Sequence, residues 1–247
     1  MSQATFGTLW RRAYLDQLRS MLTGRSGELE ILPLELAVAA LGRQSESHEG
    51  RRDVPVRAIV GTVARVGDFD RDFRPRNPAL RERWETLAAS HAELPPVSLV
   101  RLGELYFVED GHHRVSIARA RGQETISARV HRICTIACAS HCLTLADLPV
   151  KTAERMFLER VPLPDDVRVG LWLDEPAHWA RLADAAEAWG FRNGLADRCT
   201  LAETWWEQEV LPVVVRLRER GICLPPRDVQ AYFQALVERD TTGCWSG

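Results

Sequence analysis

Asp110, Gly111, His112, His113 and Arg114 place a carboxylate, a residue without a side chain, two imidazoles and a guanidinium in five consecutive positions. They stand in VEDGHHRVSIARARG, between a β-rich run and the start of a helical pattern. A helix that opens straight after a strand offers unpaired backbone N–H groups and a partial positive charge. Gly111 lets a ligand approach the backbone closely. Arg114 can grip a phosphate with two parallel hydrogen bonds. His112 and His113 can donate to phosphate oxygens or move a proton, and Asp110 can hold magnesium, orient a histidine or act as a base. Together they are the parts of a phosphate site, with Asp110, His112 and His113 as catalytic candidates. The competing reading is a helix start capped by Asp110, with two surface histidines.

More charge lies upstream. Residues 51–83 hold nine arginines against five acids, among them Arg65, Arg74 and Arg76, which can add positive potential to an anion site. Asp68, Asp70 and Asp72 in the same stretch, and Glu109 beside the turn, are candidate bases for a substrate hydroxyl; the alternative is a solvated loop paired to its own arginines. A second cluster, His131, Cys134, Cys138, His141 and Cys142, raises zinc. Its C-x3-C-x3-C spacing is not the C-x2-C of common structural zinc sites, and on a helix the three cysteines would form one small apolar stripe.

The elements that must position these residues follow from periodicity. Helices are expected over 8–22, 34–41 and 78–94, with Pro78 in a first turn. The polar run SESHEGRRD, 45–53, reads as a mobile connector, and VPVRAIV, 54–60, as a strand. Residues 61–77 read mostly as loop. VSLVRL and LYFVED flank Gly103-Glu104 as a hairpin with a type II′ turn. Then come a helix of about ten residues closed by Gly122 and an alternating strand over 125–133, a strand–helix–strand crossover unit. Beyond about 142 the pattern is helical. TLAD (144–147) and TLAE (200–203) look like capping boxes. PAHWARLADAAEAWG is expected to be helical with Trp179, Leu182, Ala183 and Ala186 on one face, Pro212 is expected to break or kink 201–220, and 226–239 reads as a last amphipathic helix. Six of the eight tryptophans lie in this half, as packing residues.

The fold class expected is α+β: N-terminal helices over 1–50, a small mixed-sheet domain over 51–142 and a helical domain over 143–247. Net charge is −2, and 31 of the 32 basic residues are arginine, Lys151 being the exception. Residues 143–247 carry 12 basic and 17 acidic groups, which argues against a basic footprint for duplex DNA there. With no signal-peptide pattern and no apolar run long enough to span a bilayer, a cytoplasmic protein with free thiols is expected.

LPPVSLVRLGELYFVEDGHHRVSIARARGQETISARV, 94–130, resembles the ParB/sulfiredoxin superfamily. Sulfiredoxins carry Gly-Cys-His-Arg at this turn and ParB proteins Gly-Glu-Arg-Arg; here it is Gly111-His112-His113-Arg114, with Ala118 following in the helix. The spelling Asp-Gly-His-His-Arg is closest to ParB-like proteins related to free-serine kinases. Arg74 and Arg76, in FRPRN, stand where ParB-like proteins often have a Pro-Arg segment. The whole pattern looks like a bacterial ParB-like subfamily with a helical C-terminal extension, and the matching core is roughly 54–133.

The resemblance implies a ParB/sulfiredoxin-like core whose turn binds the phosphates of a nucleotide (ATP, ADP or CTP) with magnesium. It implies either phosphotransfer to a small-molecule acceptor or nucleotide hydrolysis. The alternative is a regulator without turnover that binds nucleic acid or a protein partner. His112 replaces the sulfiredoxin nucleophile, which excludes sulfinic-acid repair by that cysteine. The Asn-rich third motif of ParB proteins is not evident, nor is a helix-turn-helix.

Overall fold

The computed structural model describes residues 5–24, 29–90, 95–139 and 143–242. The fold is α+β and divides into two compact units. Unit 1 comprises 1–135 and 139–148; unit 2 comprises 136–138 and 149–247. The helical half therefore draws three residues from just beyond the last strand, and its main segment begins at Pro149 rather than at 143.

Unit 1 is a six-stranded mixed sheet with helices. The strands are β1 (Leu32–Pro33), β2 (Arg43–Pro55), β3 (Ile59–Thr62), β4 (Val97–Leu102), β5 (Leu105–Asp110) and β6 (Thr125–Thr135), in the spatial order β1-β3-β5-β4-β6-β2. β1, β3 and β5 are parallel, β4 is antiparallel to β5 and parallel to β6, and β2 closes the sheet antiparallel to β6. The helices are α1 (Phe6–Thr23), α2 (Leu34–Leu41), α3 (Arg81–Ala89) and α4 (His112–Ala120). Thr5 caps α1 in a reciprocal box with Thr8, and Asn77 Oδ1, accepting from the Ala79 N–H, caps the turn Pro78–Leu80 that leads into α3.

The core follows the two periodicities. Alternate residues Val97 and Leu99 of β4, Tyr106 and Val108 of β5, and Ala128 and Val130 of β6 point to one face. Val115 and Ile117 of α4, Trp84 of α3 and Phe6 and Leu9 of α1 pack against them. Trp84 Nε1 donates to Ser116 Oγ at 2.9 Å, a buried polar tie between α3 and α4.

Three expectations change here. The connector 45–53 is instead the middle of β2, paired from Arg43 to Pro55 with bulges at Arg43/Ser45 and His48/Gly50. Its residues are nearly all exposed, so the run is polar for want of a buried face, and pairing with β6 supplies the order that propensity does not. It also carries 43–50 into the sheet. The expected strand 54–60 is split: β2 ends at Pro55, a 3₁₀ turn spans Val56–Ala58, and β3 begins at Ile59. Finally, β5–α4–β6 is not a parallel crossover, because β4 lies between β5 and β6 and makes them antiparallel. The β4–β5 hairpin stands as expected. Gly103 has φ +54 and Glu104 no positive φ, as a type II′ turn requires.

Unit 2 is helical: α5 (Leu148–Arg160), α6 (Asp165–Arg168), α7 (Pro176–Arg192), α8 (Arg198–Trp205), α9 (Leu211–Glu219) and α10 (Asp228–Thr242). Trp179 and Trp205 are fully buried and both pack near Phe157, with ring centroids 5.5 and 6.4 Å from it. The Thr144–Asp147 box is formed; at 200–203 it is not, because Asp197 caps α8 by accepting from Thr200. Pro212 sits in the first turn of α9, after a π-helical turn over Trp206–Val210 that absorbs its missing N–H. Among the described residues no helix is long and apolar enough to cross a membrane.

Candidate functional site

Gly111 is the N-cap of α4, in the left-handed region (φ +101), and among the described residues no side chain caps the helix. Asp110 is therefore not the cap, and the first N–H groups of α4 lack a helical acceptor. A Cβ at Gly111 would lie 2.6 Å from Val97 Cγ1 and 3.0 Å from the Arg114 guanidinium. The turn thus needs glycine both for its dihedral and for its room.

The two histidines face inward. His112 is buried, stacked on Phe69 at 5.9 Å, with Nε2 2.7 Å from Thr62 Oγ1. Thr62 Oγ1 already accepts the backbone N–H groups of Ala64 and Arg65, so its own proton goes to Nε2 of a neutral ring. Burial, reinforced by Arg65, lowers the His112 pKa to about 4. His112 is accordingly a neutral positioning group that holds the segment carrying Arg65. His113 is also buried, edge-on to Phe69, and burial with Arg83 and Arg65 lowers its pKa. Its Nδ1 is buried with no hydrogen-bond partner among the described residues.

Arg114 is not free for a ligand. Its Nη1 donates to the carbonyl oxygens of Pro95 and Pro96 and its Nη2 to Asp110 Oδ2 at 2.6 Å. The guanidinium ties the entry of β4 to the start of α4, and its side chain is only 13% exposed. Asp110, at 72%, keeps one oxygen toward solvent.

Arg65, Arg83, Leu87 and Asp110–Arg114 line a cavity of about 50 Å³ at the start of α4. Arg65 pairs with Asp68 at 3.1 Å and remains 42% exposed. Arg83, exposed on α3, has no side-chain partner among the described residues. The sequence reading passed over Arg83; its only signal was membership of the arginine-rich stretch.

Of the other candidates, Asp68 is near the turn, its Oδ1 accepting from Asn77 and its Oδ2 from Arg65. Asp70 is not available as a base. It is buried and accepts from Arg74 Nε and from the N–H groups of Asp72 and Arg74; burial pushes its carboxyl up against those donors. Arg74 also bridges to Asp16, and Asp72 pairs with Arg119. Arg76 donates to Leu29 O, while its own carbonyl accepts from Trp10. Arg74 and Arg76 therefore anchor α1 and the segment before β1, away from the turn. Glu109 points to the opposite face of β5. A larger cavity, about 730 Å³, lies toward the other end of α4, where Arg74 and Arg119 are held by Asp72 and neighbouring groups. It is roomier than the turn but lacks the uncapped N–H groups and the orphaned imidazole nitrogen.

The zinc candidates do not share a helix. Cys134 is in β6 opposite Ser45, Cys138 follows the strand, and Cys142 lies outside the described residues. Among the described residues no group of three or more potential ligands could hold a metal ion. The turn's arrangement suits capture of a small anion: unpaired N–H groups, two arginines and a buried imidazole nitrogen converge on one small space.

Comparison with protein-family models and with curated proteins gives no match for this chain.

Proposed function

We propose that the turn Asp110–Arg114 binds a phosphate group carried by a nucleotide, as in the ParB/sulfiredoxin-like proteins that the turn resembles, in the cytoplasm. The observation that carries this reading is the buried, unpartnered Nδ1 of His113 at the uncapped start of α4, with Arg65 and Arg83 beside it. A buried polar atom without a partner is rare in folded proteins, and an anion at this spot would satisfy it. A cavity of about 50 Å³ takes one phosphate group and leaves the nucleoside outside. Magnesium, where the nucleotide brings it, would meet Asp110, since one carboxylate plus phosphate oxygens is its usual protein environment. The reading is of a binding protein: His112 is a neutral positioning group and Asp70 is committed to Arg74.

Calorimetric titration with ATP, ADP and CTP, each with and without magnesium, tests it. Each charge-assisted hydrogen bond contributes ~1.5–3 kcal/mol, so Arg65→Ala/Arg83→Ala is expected to weaken the preferred nucleotide by at least ~10-fold. Unchanged affinity in that variant, or no nucleotide binding by the wild type, overturns the reading.

A further inference from the structure

The second face of the sheet carries a groove of about 590 Å³ that the phosphate turn does not use. Phe107, Leu102, Leu105 and Ile133 on that face are buried, but toward the N-terminal end of β4 the face is open. His48, Arg51, Ser98, Glu109, Arg129 and His131 line the open part.

The register makes it unusual. Arg51 stands directly opposite Arg129, and His48 directly opposite His131. Like charges opposed across strands destabilise a sheet, so the Arg51–Arg129 placement works against the fold of the free protein. Little on the face offsets it. Arg51 Nε donates to Ser127 Oγ, and Arg129 has no side-chain partner among the described residues. Glu46 pairs with His131 at 3.2 Å, while Glu109 stands across the groove and Asp53 two positions beyond Arg51. The imidazoles of His48 and His131 stack at 4.9 Å. Local rules are broken in this way at functional sites, where a ligand supplies the missing partner.

We propose that this open sheet face binds single-stranded nucleic acid. Arg51 and Arg129 hold backbone phosphate, an unstacked base continues the His48–His131 stack, and Glu109 accepts from an exocyclic amine. Each part matches a known demand of single strands: cations along the backbone, aromatic faces for bases, hydrogen bonds at base edges. A duplex cannot place a base on the stack. The inference does not depend on the phosphate turn, which lies off this groove.

The test is fluorescence anisotropy with a labelled 12-nucleotide single strand, as RNA and as DNA, against the same sequence as a duplex. The wild type is expected to bind the single strand at least ~10-fold more tightly than the duplex. Arg51→Ala/Arg129→Ala is expected to weaken it at least ~10-fold and to lower the salt slope of log K by about 1.4, two phosphates at ~0.7 each. His131→Ala is expected to weaken binding about fivefold, and His131→Phe to restore it through stacking. All of these side chains are at the surface, so thermal melts of the variants should show no loss of stability, and relief of the Arg51–Arg129 opposition should leave the double variant at least as stable as the wild type. Arg65→Ala/Arg83→Ala is expected to leave strand binding within about twofold. The proposal is overturned by no strand binding, by equal affinity for duplex, or by a double variant that binds as the wild type does. Loss of strand binding in Arg65→Ala/Arg83→Ala, or displacement of the strand by mononucleotide at equal concentration, also overturns it.

Discussion

The imidazole of His112 acts by staying uncharged. Its pKa of about 4 lies below the ordinary histidine value of 6.5, so its contribution to stability is complete above pH 6.5 and is lost as pH falls toward 4. The loss across that window is expected to reach about 3 kcal/mol, read from urea unfolding at successive pH values. His112→Gln, which keeps a hydrogen-bonding group toward Thr62, should remove about one proton from the slope. At Gly111 the expectation is steric: alanine there meets Val97 and Arg114 at a positive φ, so Gly111→Ala should cost about 1–3 kcal/mol and weaken nucleotide binding. Arg114→Lys should destabilise the fold in thermal melts, because an ammonium cannot reach Asp110 and both proline carbonyls at once. The composition of this turn was readable from five letters. The use of Arg114 was not, because two of its three acceptors lie 18 and 19 residues earlier and are backbone atoms. Nor was the orphaned nitrogen of His113, which exists only once the fold has closed around it.

Elements with a buried stripe announced themselves. α1, α4 and α7 carry apolar and polar residues at helical spacing, α2 is a short apolar run broken only by Glu35, and the β4–β5 hairpin combines two β-rich runs with a Gly-x link. β2 did not, since Val54 is its only buried residue and its order comes from a partner strand some 80 positions later. The loop of residues 68–76 is similar: Asp70 gathers three donors, and Phe73 takes φ +55 to place its ring against His112 and Arg119. None of that is local propensity. Between α3 and α4, the Trp84–Ser116 hydrogen bond makes a further expectation. Trp84→Phe leaves the buried Ser116 hydroxyl without its donor and part of the ring's space empty. A destabilisation of about 2–4 kcal/mol by chemical denaturation follows.

At the scale of the whole chain, the single lysine explains itself. Lys151 is buried in α5 with its Nζ 2.7 Å from the equally buried Glu154, and it lies 5.2 Å from the Trp172 ring. Removing one member of such a pair strands the other, so Lys151→Ala should destabilise the protein by about 3–5 kcal/mol. Lys151→Met with Glu154→Leu should recover most of that loss, as measured by thermal melts. The two borders of the sheet bear on how the molecule meets its own copies. β1 offers only two residues of unpaired backbone, and β2 offers thirteen that carry charges of both signs and two bulges. One border is too short to template a strand, and the other repels a neighbour that tries to dock. The protein should therefore resist fibril growth at high concentration, and that resistance resides in the side chains of β2, so neutralising Arg51, Arg52 and Asp53 together would convert a quiet border into a nucleation site.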